Sequence, residues 1–170
     1  MQQNQLSEAM EERLGRQVAE EYWTEQFYIS MSNEAEHQNM HGMSKWLRQE
    51  AEDEHMHGRK LADYILARGN HVKLPHLRPI PSQWESLEKM FVELAENERR
   101  VTEAYNTHID ACVAERDHAT CAFLRFYVLN QVEELQVARD ILFRFSLIRN
   151  APYMIMTVDR YFYELAARKK

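Results

Sequence analysis

Apolar residues recur every three or four positions along most of this 170-residue chain, which is the spacing of one buried face of an α-helix. The pattern predicts four long helices over about 6–36, 43–68, 82–113 and 119–148, and a short fifth helix over about 153–167. The chain has only four glycines and four prolines. So few helix breakers over this length indicate an all-α protein.

Local sequence signals define where the second helix ends and the third begins. Gly69 is expected to end the second helix, and three prolines within 71–81 exclude a helix there. The sequence Ser82-x-x-Glu85 has the form of a capping box. We therefore expect the third helix to begin at Ser82 or Ser86.

The lengths of the connections predict how the helices are arranged. Short connections at 37–42, 115–117 and 150–152 make the helices that they join antiparallel neighbours, whereas the one at 71–81 is long enough to run the length of a bundle. The second and third helices are therefore expected to be parallel. We expect a single domain over 1–170: a four-helix bundle with one long crossover and a short C-terminal helix.

Composition and charge narrow the classes of function. The formal net charge of -6 disfavours nucleic acid as a partner, because phosphate binding needs a basic surface. The polar N-terminus and the lack of an apolar run of roughly 20 residues predict neither a secretory signal nor a membrane span. Cys112 and Cys121 match no metal or redox spacing, so we expect reduced thiols in a cytoplasmic protein.

Polar residues occupy the middle of each long helix, at positions where the buried face should be apolar. These positions are Glu21, Glu54, His57, Glu98, Gln131 and Glu134. Antiparallel packing of helices of similar length brings their midpoints to a common level. We therefore expect carboxylates from all four helices to converge inside the bundle.

A cluster of buried carboxylates needs compensating positive charge, because desolvation and mutual repulsion disfavour the ionised forms. Two divalent cations would neutralise four carboxylates, and His57 would add a neutral nitrogen donor. Glu54-x-x-His57 is the recurrent spacing of di-iron carboxylate proteins built on helical bundles. Structural zinc favours cysteine and calcium favours oxygen alone. The pattern therefore indicates a di-iron centre.

Other residues with ligand chemistry are expected to have surface or pairing roles. Glu25 and Glu50 face inward by helical period, but each is expected to pair with a neighbour or to extend towards solvent. His37 and His41 have a four-residue metal-binding spacing, yet they flank the first connection and are expected on the surface. His55 is expected to be exposed, on the face of the second helix that points away from the predicted metal site.

Four segments together resemble the non-haem, prokaryotic-type ferritins of the di-iron carboxylate superfamily. Residues 17–32 resemble the first-helix signature, in which a metal-binding Glu (Glu21) is followed seven residues later by Tyr (Tyr28). Residues 47–57 resemble the acidic Glu-x-x-His segment, and Glu98 and 131–134 fall where the third and fourth helices carry ligands. The resemblance covers nearly the whole chain.

The resemblance implies a role for each of the polar core residues. Glu21, Glu54 and His57 would hold the first iron, with Glu54 bridging to the second. Glu98 would hold the second iron, assisted by Glu134 or Gln131. Tyr28 would lie beside the two irons and would either donate a hydrogen bond to a ligand or supply an electron.

Departures from the family pattern change what is expected near the fourth helix. A third iron position of prokaryotic ferritins would match Asp53, Asn130, Glu133 and Glu134, but Asn130 and the shorter Asp53 replace glutamates, so this site is expected to be weak at most. Bacterioferritins carry a second Glu-x-x-His here, whereas Val137 follows Glu134 at that spacing. We therefore expect no haem.

The resemblance implies a ferroxidase that oxidises Fe(II) with O2 or H2O2 at two irons per subunit. The ferric oxide mineral would be stored in a hollow homo-oligomeric shell of 24 subunits. Two alternatives remain: another di-iron oxygen-activating enzyme, such as an oxygenase or peroxidase, or a structural shell subunit with a weak centre. The enzyme alternative would need an open substrate pocket beside the irons.

Overall fold

Five α-helices make up most of the chain in the computed structural model, which describes residues 4–168. They are α1 (Glu8–His37), α2 (His41–Ala67), α3 (Leu87–Ala114), α4 (His118–Ile148) and α5 (Ile155–Arg168), and a 3-10 turn at Pro152–Met154 precedes α5. The predicted helices are thus confirmed to within a few residues at most ends. No helix in the described part of the chain is long and apolar enough to cross a membrane.

The first four helices form the predicted bundle, in which α2 and α3 are parallel. Tyr28 contacts Glu98, whereas the earlier Glu21 contacts the later Tyr105, so α1 and α3 run in opposite directions. A three-residue turn at 38–40 makes α1 and α2 an antiparallel hairpin. Because both α2 and α3 are antiparallel to α1, a crossover must join them.

The crossover follows α1 along the outside of the bundle. Near its beginning, Lys73 Nζ lies 3.2 Å from Glu11 Oε1, and near its end Ser30 Oγ donates to the Pro81 carbonyl at 2.6 Å. A Cβ at Gly15 would lie 2.8 Å from the Lys73 carbonyl oxygen. A glycine at this position of α1 therefore permits the close approach of the crossover.

Of the two predicted starts of α3, Ser86 is confirmed and Ser82 is wrong. The capping box at Ser82 does not form, because α3 begins at Leu87 and Ser86 Oγ accepts from the Lys89 N–H at 3.2 Å. The buried face of α4 includes Leu124, Tyr127 and Gln131, whereas Val128, next to Tyr127, is only half-buried. When two adjacent residues are both apolar, as Tyr127 and Val128 are, the sequence pattern does not determine which of them faces the core.

Cys112 and Cys121 form a disulfide between the end of α3 and the start of α4, so the prediction of reduced thiols is wrong for this structure. The two Cα atoms lie 5.7 Å apart, within the range that a disulfide spans. The spacing of nine residues between the two cysteines does not by itself predict a disulfide. The helical hairpin, which folds back at 115–117, brings the two cysteines together.

The interior consists of two apolar clusters with a polar zone between them. On α1 the first cluster ends at Val18 and the second begins at Trp23. The same gap recurs on the other helices, so each polar residue predicted at mid-length lies between the clusters. Glu21, Glu54, Glu98 and Gln131 are all buried there.

A buried aspartate of α5 caps the N-terminus of α2. Asp159 accepts from the backbone N–H groups of Gly42 and Met43 at 3.0 and 2.9 Å, whereas Met40 supplies no side-chain cap. A Cβ at Gly42 would collide with the Asp159 carbonyl oxygen. A glycine at this position therefore lets α5 pack closely against the helix that carries Glu54.

A buried histidine joins α1 and α3 beside the polar zone. His108 is 7% exposed, and its Nε2 lies 3.1 Å from Gln17 Oε1. Burial, with Arg13 and Arg16 nearby, lowers the pKa of His108 from 6.5 to about 4. Its imidazole is therefore neutral in the folded protein at neutral pH.

We expect Asp159→Ala to lower the free energy of unfolding by about 1–2 kcal/mol, because the first N–H groups of α2 lose their acceptor. Chemical denaturation followed by circular dichroism measures this change. Asp140→Ala, which removes an exposed carboxylate of α4, is the matched control. Equal denaturation midpoints for the two variants would contradict the capping role.

We expect His108 to make the protein less stable as the pH falls. Between pH 6.5 and about 4 the unfolded chain binds a proton that the folded chain does not, so stability falls by up to about 1.4 kcal/mol per pH unit. His108→Gln should show a weaker dependence of the denaturation midpoint on pH over this window. His76→Gln, at an exposed position, should behave like the unaltered protein, and the same slope in all three would rule out this origin.

Candidate metal centre

Glu21, Glu54 and His57 form a compact group of ligand atoms between α1 and α2. One atom from each residue lies within 4.8 Å of the others. His57 Nδ1 is 3.3 Å from Glu54 Oε2 and 3.9 Å from Glu21 Oε2. Both carboxylates are buried, and the imidazole is 14% exposed. Three residues that the sequence predicted as ligands therefore come together.

Local packing brings α1 and α2 close enough for this group to form. Glu54 and His57 are one helical turn apart, so they share one face of α2. The next residue is Gly58, where a Cβ would lie 2.9 Å from the Tyr22 ring and 3.3 Å from the Glu21 Cβ. A larger residue at this position would push α1 away from α2 beside the ligand atoms.

Two donors hold the Glu21 carboxylate from one side. Its Oε1 accepts from Gln17 Nε2 at 2.6 Å and from the Tyr105 hydroxyl at 2.5 Å. The other oxygen, Oε2, is the one nearer His57. Glu21 is therefore orientated so that Oε2 faces the ligand group.

Neither of these two donors was predicted from the sequence. Gln17 precedes Glu21 by one turn of α1, which is a spacing that could have suggested the hydrogen bond. Tyr105 belongs to the apolar face of α3, and its contact with Glu21 depends on how two helices pack. The position of this tyrosine, two turns beyond Glu98 on the same face, was the only sequence feature that could have suggested the hydrogen bond.

Glu98 approaches the group from α3 and is held by Tyr28. The Tyr28 hydroxyl donates to Glu98 Oε1 at 2.8 Å, and both side chains are buried. Burial, together with the charge of Glu134, raises the pKa of Glu98 to about 7, although the Tyr28 hydrogen bond acts in the opposite direction. Burial also raises the pKa of Tyr28 well above its usual value.

The contribution of α4 consists of Gln131 and Glu134. Gln131 is buried, and its Oε1 accepts from the Thr102 hydroxyl at 2.8 Å. Glu134 is half-buried, and its Oε1 accepts from Asn130 Nδ2 at 3.3 Å. Among the described residues the compact ligand group does not include Glu134, but the charge of Glu134 acts on both Glu54 and Glu98. We call the space between Glu21, Glu54, His57, Glu98 and Glu134 the chamber.

The electrostatics of the chamber favour a bound cation. Burial raises the pKa of Glu54 well above its usual range, and the charges of Glu21, Glu98 and Glu134 raise it further. A divalent cation would lower these carboxylate pKa values again, because it attracts each of the negative charges that repel one another. Several carboxylates with one imidazole suit iron, whereas thiolates would suit zinc.

An acidic cavity leads from solvent to the edge of the ligand group. It has a volume of about 520 Å³, and its lining includes His57, Glu52 and Glu134. Asp53 and Glu133, the residues predicted for a third iron, are exposed side chains on the same wall. These two residues therefore lie outside the buried group.

The remaining histidine candidates are exposed. His55 pairs with Glu25 at 3.3 Å, and His41 pairs with Glu36 at 3.0 Å. His37 is exposed as well. Glu50 is buried, so it does not extend towards solvent, and its charge contributes to the raised pKa of Tyr28.

Sequence comparisons identify the family. The model of the ferritin-like domain matches residues 11–148, which include all the residues of the chamber. The bacterial non-heme ferritin of Bacteroides fragilis is 32% identical over 136 residues, covering 80% of this chain and 86% of that protein. The bacterial non-heme ferritin of Campylobacter jejuni is 27% identical over 165 residues, covering 97% and 99%.

Solved structures give the same result. An open pore ferritin from the hyperthermophilic archaeon Archaeoglobus fulgidus matches with a TM-score of 0.89 and 33% identity, covering 93% of this chain and 96% of that one. A form of the Archaeoglobus fulgidus ferritin closed by mutagenesis matches with a TM-score of 0.88. With the family model spanning the whole four-helix bundle, this chain belongs to the ferritin family.

Proposed function

We propose that this protein oxidises Fe(II) with O2 at the chamber between its four helices and stores the ferric product inside a homo-oligomeric shell. The observation that carries the proposal is the buried group of Glu21, Glu54 and His57, with Glu98 facing it. Family membership supports the same function, since the relatives are bacterial non-heme ferritins. In a cytoplasmic setting, Fe(II) and O2 would be the substrates.

Each buried side chain has a role that follows from its position. Glu21 and His57 would hold the first Fe(II), Glu98 the second, and Glu54 would bridge them. Gln131 and Glu134 would complete the second position from α4. Hard carboxylate oxygens favour Fe(III) over Fe(II), so the ligands themselves assist the loss of electrons.

The electron balance of one turnover is simple. Two Fe(II) ions give two electrons to O2, which takes up two protons and leaves as H2O2, while two Fe(III) ions remain. The Tyr28 hydroxyl, hydrogen-bonded to Glu98, keeps that carboxylate orientated while the charge at the centre rises. Restraining the ligands in this way lowers the reorganisation that the reaction needs.

The acidic cavity beside His57 is the proposed route for iron. Its lining residues Glu52, Asp53 and Glu133 would attract cations, and Phe126 is the aromatic side chain of the same lining. Asp53 and Glu133 would hold a third iron weakly at most, as expected from the sequence.

Assembly into a shell is supported by apolar side chains that the single chain leaves exposed. Seven of them are at least 59% exposed each, namely Val113, Leu129, Val132, Phe143, Leu147, Tyr153 and Met156. Exposed apolar surface on this scale marks protein–protein contacts. We propose a shell of 24 copies, with the mineral in its cavity.

We expect Glu54→Gln to slow aerobic Fe(II) oxidation by more than the roughly 10- to 100-fold that follows loss of an outer-shell partner, because Glu54 would bridge both irons. Stopped-flow absorbance at two Fe(II) per chain measures the rate. The amide keeps the side-chain size and removes a buried, repelled charge, so folding should be retained. Asp63→Asn, at an exposed position of the same helix, is the control, and equal rates in the two variants would contradict the proposed centre.

We expect the aerobically loaded protein to carry far more than two irons per chain. Size-exclusion chromatography, with iron and protein quantified in each fraction, should show this iron eluting with a very large oligomer. Glu54→Gln should form the same oligomer but load iron more slowly. A small oligomer that retains only about two irons per chain would overturn storage and favour a different di-iron enzyme.

A further inference from the structure

We propose that Cys112 and Cys121 are a redox-active pair that supplies two electrons to the metal centre through Tyr105 and Tyr127. This inference rests on the proposed oxidation of iron, to which it adds a second electron source. It assigns a function to two cysteines and two buried tyrosines that iron binding alone does not require.

The cysteine pair is built so that it can exist as two thiols or as one disulfide. Both residues lie on regular helices, at the end of α3 and the start of α4, with Cα atoms 5.7 Å apart. Cys112 is fully buried and Cys121 is half-buried. Closing the bond releases two electrons and two protons, and the disulfide in this structure is the oxidised state.

Two stacked tyrosines connect the metal chamber to the rest of the bundle. The rings of Tyr105 and Tyr127 lie 4.9 Å apart at an angle of 13°. The Tyr105 hydroxyl donates to Glu21, and the Tyr127 hydroxyl donates to the His57 carbonyl at 3.0 Å. The Tyr127 ring is also 5.6 Å from the His57 ring. The stacked pair therefore contacts two of the proposed iron ligands.

The same tyrosines pack in one apolar cluster with Cys112. Cys112 follows Tyr105 by seven residues on the same face of α3, about 10.5 Å along the helix axis. Cys121 precedes Tyr127 by six residues, about 9 Å along α4, and the Phe123 ring between them lies 5.7 Å from that of Tyr127. Electrons cross protein interiors over separations of this size without a further carrier.

The hydrogen bond from Tyr105 provides a path for its proton. When Tyr105 loses an electron, its hydroxyl proton can move to Glu21 Oε1, which already accepts the hydrogen bond. The radical is then reduced by the thiol pair, and the proton returns as the next electron arrives. Without such an acceptor, a buried tyrosine would have to become a cation radical, which the apolar surroundings disfavour.

The overall reaction then balances with water as the product of O2. Two Fe(II), two thiols, one O2 and two protons give two Fe(III), one disulfide and two water molecules. Iron supplies two of the four electrons and the thiols supply the other two. Exchange with a low-molecular-weight thiol or a thioredoxin-type dithiol would return the disulfide to two thiols.

The decisive experiment counts thiols during a single turnover. Protein reduced under anaerobic conditions and freed of reductant receives two Fe(II) per chain and then air, with catalase present to remove H2O2 from solution. We expect the thiol count to fall from two per chain towards zero and the intact mass to fall by two hydrogens. An unchanged count while absorbance shows iron oxidation would overturn the proposal. If no iron is oxidised, the proposed function fails and this inference fails with it.

Tyr105→Phe tests the route, because it keeps the stacked ring but removes the hydroxyl. The number of thiols lost per iron oxidised should fall by about tenfold or more. This is the change in rate that corresponds to the loss of one hydrogen bond to a charged group. Tyr163→Phe, at an exposed tyrosine of α5, is the matched control. Equal thiol loss in both variants would show that Tyr105 is not on the path and would overturn the proposed route.

Cys121→Ser tests the consequence for O2. Serine is close to cysteine in size, and the position is half-buried, so the fold should be retained. Without catalase, this variant should release close to one H2O2 for every two Fe(II) oxidised in the first turnover. The pre-reduced, unaltered protein should release little until its thiols are spent. Equal release from both would overturn the proposal.

Discussion

The burial of several carboxylates in one chamber is the constraint on which the rest of the structure depends. Glu21, Glu54 and Glu98 lie in the interior of a helical bundle, where ionised groups are expensive unless other groups compensate them. Hydrogen-bond donors supply part of the compensation, since Glu21 and Glu98 each accept from a buried tyrosine. These donors leave the charge itself unbalanced, and a bound cation would complete the compensation.

The surrounding fold keeps this unfavourable arrangement in place. Apolar clusters on either side of the chamber supply the free energy that offsets the buried charges. Gly58 lets α1 approach α2 beside the ligand atoms, and Asp159 fixes the start of α2 through its first N–H groups. The helix that carries Glu54 is thus restrained at its N-terminus and at the chamber. A site of this kind needs rigid supports, because relaxation of the helices would separate like charges and lose the ligand geometry.

Periodicity predicted the helices and the polar midpoints, and the prolines and length of the connection at 71–81 predicted the crossover, because each depends on local sequence. Glu98 was identified as a core residue from one interruption of an apolar stripe. The contacts of Tyr105, Asp159 and Cys121 were not identified, since each depends on the rotation and register of two packed helices. A tyrosine or a cysteine on an apolar face has the same pattern whether it packs against leucine or against a carboxylate. The sequence therefore indicates which residues are buried better than it indicates what they touch.

The donors that hold the carboxylates are also the side chains best suited to redox chemistry. A serine or glutamine could satisfy Glu21 Oε1, and Gln17 does so already. Tyr105 adds a second donor that can be oxidised, and it stacks on Tyr127, which in turn contacts His57. One hydrogen bond from Tyr105 thus serves two needs: it stabilises a buried charge, and it provides the proton acceptor that one-electron oxidation of a buried tyrosine requires. The two tyrosines can therefore link a metal chamber to distant thiols, and each hydroxyl that they add to the core has a hydrogen-bond acceptor.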